Sequence, residues 1–209
     1  STLVPVCFAT ESEKDYSHLR GTSINVYNWG EYISDGSEGS LDVNKEFTKR
    51  YGIKVNYTTF ESNENMYNKL KSGGADYDIV IPSDYMVERL ISEEMLLKLD
   101  YNNIPNFGKY FDGEKYGNLI GNGIGDYAVI YNVGSTILIY NKKLVKEEPT
   151  SWNVLWDEQY KGKVLMFNNP RDAFAVAQFA LGQDINTTNM ADWDRAADYL
   201  LEQRKNVRP

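Results

Sequence analysis

Short apolar runs alternate with amphipathic segments from residue 23 onward, and this alternation constrains the fold more than any other feature. The strand-like runs are Ser23–Tyr27 (SINVY), Lys54–Phe60 (KVNYTTF) and Tyr77–Ile81 (YDIVI). Between them, apolar residues recur at three- and four-residue steps, as on one face of a helix. Strands that alternate with helices predict parallel βαβ units. The sequence therefore predicts an α/β fold with a mainly parallel sheet flanked by helices.

Three helices are expected between and after these strands. Their predicted ranges are Ser40–Tyr51, Asn63–Leu70 and about Tyr85–Glu94. Gly52 stands where glycine commonly ends a helix, because it adopts the left-handed conformation without steric cost. Asp84 directly precedes the third helix and is interpreted as its N-cap.

The second half of the chain predicts another lobe. Residues 102–126 show no clear periodicity and are interpreted as an irregular connection. Two strand-like runs, Tyr127–Tyr131 and Thr136–Tyr140, are typical of a crossover between lobes. The remaining elements expected are a short helix near Trp152–Trp156, a strand at Lys163–Phe167, and helices at Pro170–Leu181 and Asp192–Gln203.

These elements predict a disordered lead-in over residues 1–22, a first lobe over 23–132 and a second lobe over 133–209. The second lobe has so few strands that much apolar helix surface would stay uncovered. We therefore expect the second lobe to be partial.

Composition removes several classes of function. A net charge of −8 argues against a nucleic-acid partner, because phosphate binding needs basic patches. One cysteine and one histidine, His18, leave no basis for a zinc site or a Ser-His-Asp arrangement. The glycine-rich run Gly121–Gly125 follows no strand and lacks a Lys-Ser/Thr ending, so its context does not fit a phosphate loop. No cofactor or metal is predicted.

Cys7, the single cysteine, follows a short apolar run and precedes a polar stretch. This arrangement is similar to the end of a bacterial lipoprotein signal, whose cysteine becomes lipid-modified. An unremarkable thiol or a cloning remnant explains it equally well. No run approaches the roughly 18 apolar residues that span a bilayer, so a membrane contact is expected only through a lipid anchor at Cys7.

Aromatic and oxygen-bearing side chains follow two of the predicted strands. Trp29, Glu31 and Tyr32 come after the first strand, and Ser83 and Tyr85 come after the third. Ligands of open α/β sheets bind at the carboxyl ends of strands. An indole face attracts an ammonium group, a carboxylate neutralises it, and hydroxyl oxygens accept its hydrogens. The pattern predicts a site for a cation with an apolar body.

Asn169 and Asp172 follow the strand predicted in the second lobe and are further candidates for this site. Each also has a purely structural explanation. Asn169 is a suitable N-cap for a helix that begins at Pro170. Asp172, in the first turn, is favourable near the positive end of the helix.

An enzymatic alternative uses carboxylates as general acid and base, pairing Glu31 with Asp84 or Asp172 in a hydrolase. The spacing of these residues does not favour hydrolysis over ligand contact. A binding protein for another small cation or an amino acid is the alternative within the binding class.

The chain resembles the spermidine/putrescine-binding proteins of bacterial ABC importers from about residue 23 to its end. The motifs that carry the resemblance are Tyr27–Tyr32 (YNWGEY), Gly52–Val55 (GIKV), Glu61–Glu64 (ESNE), Met66-Tyr67, Tyr77–Tyr85 (YDIVIPSDY), Thr150–Trp152, Leu155-Trp156, Tyr160–Gly162 and Arg171–Phe174.

The resemblance implies a two-lobed, hinge-closing protein of the periplasmic binding type II class. A polyamine would lie in the cleft, and the protein, periplasmic or at the extracellular face of the cytoplasmic membrane, would deliver it to an ABC permease. The family continues past residue 209, so the chain is expected to hold only part of the binding site. Carried over by motif, Trp29, Glu31, Tyr32, Ser83 and Tyr85 would contact the ligand from the first lobe. Asn169 and Asp172 would do so from the second, without catalysis.

Three positions depart from the family pattern. Asn169 replaces an expected carboxylate, so the preferred polyamine stays open. Gly30 stands where relatives can offer a hydroxyl. The crossover segment Ile130–Gly134 lacks the proline and tryptophan seen in relatives.

Overall fold

In a computed structural model, residues 15–74, 76–110, 112–113 and 123–208 are described. The chain divides into two compact units, one ending at Tyr131 and the other beginning at Asn132. Cys7 and the first two residues of the glycine-rich run at 121–125 lie outside the described residues, as do residues 1–14 of the predicted lead-in.

A three-stranded parallel sheet forms the centre of the first unit, as far as the structure describes it. Its strands are β1 (Ser23–Trp29), β2 (Lys54–Phe60) and β3 (Ile79–Val80), in the order β2-β1-β3. Trp29 pairs with Phe60 in register, and Tyr27 pairs with Val80. Because all three strands are parallel, their carboxyl ends lie at one edge of the sheet.

Helices follow the strands as the periodicity predicts. They are α1 (Val43–Tyr51), α2 (Asn63–Lys71), α3 (Asp84–Ser92) and the short α4 (Phe107–Tyr110). Gly52 ends α1 with φ of 70°, and its N–H donates to the carbonyl of Thr48 over 2.8 Å. The prediction for Gly52 is thus confirmed.

The buried core of the first unit lies between the sheet and the helices α2 and α3. Its members come from β1, β2 and these two helices: Tyr27, Phe60, Met66, Tyr67, Met86 and Leu90. Trp29 and Tyr85 are partly buried against this cluster. The same core that stabilises the unit therefore also supports two of the predicted site residues.

Part of the segment predicted as a lead-in has defined structure. Ser17–Leu19 form a 3-10 turn, and the Gly21 N–H donates to the Gly52 carbonyl over 2.8 Å. Gly21 has a φ of 86°, a conformation that glycine adopts readily. Backbone hydrogen bonds, which composition does not reveal, thus join Gly21 to Gly52 at the end of α1 and Thr22 to Lys54 at the start of β2.

Two helices pack together in the second unit, α5 (Pro170–Ala180) and α6 (Met190–Gln203). The Trp156 ring stacks on Tyr199 at 4.3 Å, and its Nε1–H donates to the Tyr199 carbonyl over 2.6 Å. Buried Asn206 donates to the carbonyls of Leu155 and Asp157. Trp152–Trp156 form a 3-10 helix.

The strands predicted after residue 126 do not form. Tyr127–Tyr131 and Thr136–Tyr140 contain no strand, and Lys163–Phe167 contribute a single parallel bridge between Val164 and Val207. An alternating pattern gives a strand only where a neighbouring strand takes up its backbone hydrogen bonds. Ile139, 83% exposed, has no such neighbour among the described residues.

Candidate functional site

The candidate site of the first unit lies at the carboxyl edge of its sheet. Trp29 ends β1, and Ser83 follows β3 by three residues. The Ile81 N–H donates to the Tyr27 carbonyl over 3.0 Å, which ties the chain after β3 to the end of β1. Parallel pairing thus brings both predicted strand-end groups to the same edge.

A row of aromatic rings extends along this edge. Trp29 is half-buried, with its ring centroid 4.5 Å from that of Phe60 and 6.0 Å from that of Tyr32. Tyr32 in turn stacks on Tyr131 at 6.4 Å, and the Tyr131 hydroxyl donates to the Tyr32 carbonyl. The row presents ring faces that can stack on methylene groups or attract a cation.

Glu31 lies between Trp29 and Tyr32 in the turn after β1 and is exposed. Tyr32 is 40% exposed. An exposed carboxylate in the turn that carries these two rings can neutralise an ammonium group while the rings cover its apolar neighbours. The structure thus brings together the three residues predicted after β1.

Ser83 and Tyr85 meet through a third residue, Asn63. The Asn63 Nδ2 donates to the Ser83 Oγ over 3.0 Å and to the Tyr85 hydroxyl over 2.9 Å. The Asn63 Oδ1 accepts from the Ser83 backbone N–H over 3.0 Å. The Tyr85 hydroxyl donates to Oε1 of Glu64 over 3.1 Å. Both predicted residues therefore belong to one hydrogen-bonded network.

The prediction that Asp84 caps α3 is wrong. Ser83 occupies the N-cap position, and Asp84 is the first helical residue, with its carboxylate accepting from the Tyr85 N–H over 2.8 Å. The Ser83 side chain makes no capping hydrogen bond. Its Oγ is engaged by Asn63 instead, which explains why the usual serine cap is not formed.

Asn63, Glu64 and Tyr131 are structural neighbours of the site that sequence reasoning did not select. Asn63 and Glu64 stand in the ESNE motif at the start of α2, which gave a signal of resemblance but not of role. Tyr131 contacts Tyr32 across 99 positions of sequence, so local patterns carry no signal for it.

Asn169 and Asp172 lie together in the second unit at the start of α5. Asn169 is the N-cap, and its Oδ1 accepts from the Arg171 N–H over 3.1 Å while its Nδ2 donates to Asp172 Oδ2 over 2.8 Å. Burial raises the pKa of the half-buried Asp172 carboxyl, against the opposing effect of Arg171. The capping role of Asn169 is thus present, and a ligand role for either residue stays a prediction.

The described residues hold no group of three or more His, Cys, Asp or Glu suited to a metal ion. Within the same part of the chain, no helix has the length and apolar character that a bilayer crossing needs. The groups at the carboxyl edge of the sheet are oxygen acceptors and aromatic faces.

Comparison with known proteins identifies the family. Residues 43–208 match the model of the bacterial extracellular solute-binding protein family. The spermidine/putrescine-binding periplasmic protein of Escherichia coli is 37% identical over 196 residues, which cover 88% of this chain and 51% of that protein. Its Haemophilus influenzae counterpart is 36% identical over 188 residues, covering 88% and 50%.

Solved structures agree with this assignment. An ABC transporter protein from Listeria monocytogenes has a TM-score of 0.73 at 31% identity, covering 89% of this chain and 56% of that one. A spermidine/putrescine ABC transporter substrate-binding protein from Streptococcus pneumoniae has a TM-score of 0.59 at 28% identity, covering 90% and 55%. The predicted α/β class of periplasmic binding proteins is thereby confirmed.

The chain spans about half the length of the curated relatives that it matches. The family model covers β2, β3, the helices of both units and the candidate residues Ser83, Tyr85, Asn169 and Asp172. The chain belongs to the bacterial extracellular solute-binding protein family.

Proposed function

We propose that this chain provides the ligand-contacting part of a non-catalytic, extracytoplasmic binding protein that captures a polyamine for an ABC permease. The observation that carries the proposal is the pairing of an aromatic row with acceptor oxygens at one sheet edge. Relatives named for spermidine and putrescine binding, at 36–37% identity, support the same substrate class. Another small organic cation or a basic amino acid is the competing ligand that the test must separate.

The mechanism follows from the chemistry of these groups. Glu31 takes one ammonium group through a charge-assisted hydrogen bond, and such bonds contribute about 1.5–3 kcal/mol. Trp29 and Tyr32 stack on the methylene chain, and a cation–π contact contributes about 0.5–2 kcal/mol. Ser83 and Tyr85 offer oxygen acceptors at the neighbouring strand end. Asn169 and Asp172 supply the acceptors of the second unit.

Titration followed by NMR tests the proposal residue by residue. Trp29 is the only tryptophan before residue 132, and its indole N–H resonance is expected to shift when putrescine or spermidine is added. The indoles of Trp156 and Trp193 donate to the carbonyls of Tyr199 and Thr187 within the second unit, so they serve as internal references. The shift of the Trp29 indole resonance is detectable whether binding is weak or tight.

We predict that Glu31→Gln weakens putrescine binding about tenfold or more, since a charge-assisted bond is lost. Trp29→Ala is expected to weaken it about two- to thirtyfold from the cation–π contact alone. Glu38→Gln removes the same charge from an exposed position in the following turn and is the matched control. The proposal fails if the Trp29 indole does not shift, or if Glu31→Gln and Glu38→Gln have equal effects.

A thermal-shift panel separates the ligand classes. Putrescine, spermidine and spermine are expected to raise the melting temperature more than arginine or lysine, whose carboxylates would face Glu31. A larger shift with a basic amino acid would assign the chain to that ligand instead.

A further inference from the structure

Asn63, like Asn28, is a polar residue near the candidate site with only 1% of its surface exposed. It is the first residue of α2, directly after the Ser62 N-cap. Its side chain contacts neither solvent nor its own helix end. Instead it bridges to Ser83 and Tyr85, at the start of α3. A buried amide that hydrogen-bonds the polar groups of another helix is a candidate for setting the geometry of that helix.

The backbone of Ser83 fixes which way the Asn63 amide faces. A backbone N–H can only donate, so the atom that it meets at 3.0 Å is the amide oxygen, Oδ1. The amide nitrogen then faces the two hydroxyl groups, and both of its hydrogens are directed to oxygens, those of Ser83 and Tyr85. Both hydroxyl oxygens therefore already act as acceptors.

Glu64 determines the direction in which the Tyr85 hydroxyl donates its proton. Its Oε1 lies 3.1 Å from the Tyr85 hydroxyl, and an ionised carboxylate only accepts. The phenolic proton is thus directed to Glu64. Toward any further partner, the Tyr85 oxygen can act only as an acceptor. The Glu64 Oε2 is buried without a hydrogen-bond partner among the described residues.

We propose that Asn63 and Glu64 are positioning residues that set the hydrogen-bond polarity of the Tyr85 hydroxyl, so that this hydroxyl selects ligands whose end group donates. An ammonium group satisfies it, whereas an ether or carbonyl end group of the same size leaves the Tyr85 oxygen facing another acceptor. The proposal rests on the proposed function, because it names the specificity of that same site.

The decisive measurement compares putrescine with 4-methoxybutylamine, in which one ammonium group is replaced by a methyl ether that only accepts. Wild-type chain is expected to prefer putrescine. Glu64→Leu frees the Tyr85 proton to donate to the ether oxygen, so the preference should fall about tenfold, as for one hydrogen bond to a charged group. Dissociation constants come from NMR titration of the 209-residue chain.

A double-mutant cycle separates polarity from simple charge loss. In a Tyr85→Phe background there is no phenolic proton to redirect, so Glu64→Leu should leave the preference unchanged within about twofold, the usual error of additivity. If Glu64→Leu lowers the preference equally in both backgrounds, the carboxylate acts by its charge alone and the inference is overturned. It is likewise overturned if Glu64→Leu weakens both ligands equally.

A measurement without ligand tests the hydrogen bonds of Asn63 to Ser83 and Tyr85 independently of polyamine binding. The Asn63 side-chain NH₂ resonances should move in Tyr85→Phe and in Ser83→Ala, while those of exposed Asn68 on the same helix stay in place. Unmoved Asn63 resonances overturn the inference. If they move but no amine binds the wild-type chain, the hydrogen-bond network is supported and the polyamine function is what fails.

Discussion

At the scale of single residues, two effects on the charge of Asp172 oppose each other. Its position in the first turn of α5 favours a negative charge, by about 0.3–1 kcal/mol. Its pKa is nonetheless raised, and the principal cause is burial. Burial therefore outweighs every favourable interaction, and the ionised form is less stable in the folded chain than in the unfolded one. A carboxylate held at such a cost is consistent with a ligand role.

We predict that Asp172→Asn unfolds at a higher urea concentration than wild type at about pH 7. The folded pKa is raised, so the penalty is present at neutral pH and disappears as pH falls below the unfolded value of about 3.9. The two unfolding curves should therefore converge at about pH 3. Asn169→Asp keeps an N-cap but adds a second carboxylate, so the urea midpoint of this variant should depend more strongly on pH. A lower urea midpoint for Asp172→Asn at neutral pH would contradict this account.

The candidate site residues differ in whether a short stretch of sequence is enough to recognise them. Trp29 and Ser83 were predictable, because a strand end and the residues that follow it can be recognised from a few positions of sequence. Asn63 was not, because its role depends on hydrogen bonds to residues 20 and 22 positions away. Asn63, which hydrogen-bonds Ser83 and Tyr85, belongs to α2, whereas Ser83 and Tyr85 stand at the start of α3.

At the scale of elements, α2 and α3 are joined by a polar cluster around Glu93. Its carboxylate accepts from the Tyr67 hydroxyl at 2.7 Å, from Lys71 Nζ at 3.0 Å and from Arg89 Nε at 3.2 Å. These contacts, led by the Tyr67 hydroxyl, lower the pKa of Glu93 to about 2. The helices that carry Asn63 and Tyr85 are therefore tied together at their far ends as well.

We predict that Glu93→Gln lowers the urea midpoint at about pH 7, since the ionised carboxylate is favoured in the folded chain. The folded pKa is depressed, so this stabilisation is present above the unfolded value of 4.5 and is lost as pH falls toward about 2. The difference between variant and wild type should shrink over that range. Glu88→Gln, exposed on the same helix, is the control. An undiminished difference at the lowest pH would refute the assignment.

Gly52 sets the join between α1 and β2. A Cβ there would lie 2.9 Å from Arg20 Cγ, and the φ of 70° disfavours side chains. We expect Gly52→Ala to lower the free energy of unfolding by about 1 kcal/mol, the cost of the left-handed conformation. Gly30→Ala is the matched control, because a Cβ there meets nothing within 4 Å. Equal urea midpoints for the two variants would show that the helix end tolerates a side chain.

The predicted helices formed in both units, whereas the predicted strands formed only in the first, for a physical reason. A helix satisfies its backbone within one segment, and its start depends on a local cap, such as Asp42 for α1 or Asn189 for α6. A strand needs a partner elsewhere in the chain. The runs at 127–140 have the alternation of strands, but the described structure gives them no partner, and so the sequence pattern alone overpredicted them.

At the scale of the whole molecule, each unit has a core of its own. The first is built around Tyr27, Phe60 and Met66, and the second around the α5–α6 contact with Val176 and Ala196. Over both units the acidic residues outnumber the basic ones by 30 to 22. The field of such an excess extends beyond any single contact and attracts cations over a distance.

We predict that the association rate of putrescine falls about tenfold as salt rises from about 0.01 M to about 0.15 M, because the Debye length shortens from about 30 Å to about 8 Å. The dissociation rate should change much less, since the short contacts to Glu31 and the aromatic row are screened weakly. Stopped-flow tryptophan fluorescence measures both rates. The singly charged 4-methoxybutylamine feels half the attraction, so its association rate should depend on salt less steeply. If both ligands lose rate equally, the net charge of −8 serves solubility and does not guide the ligand.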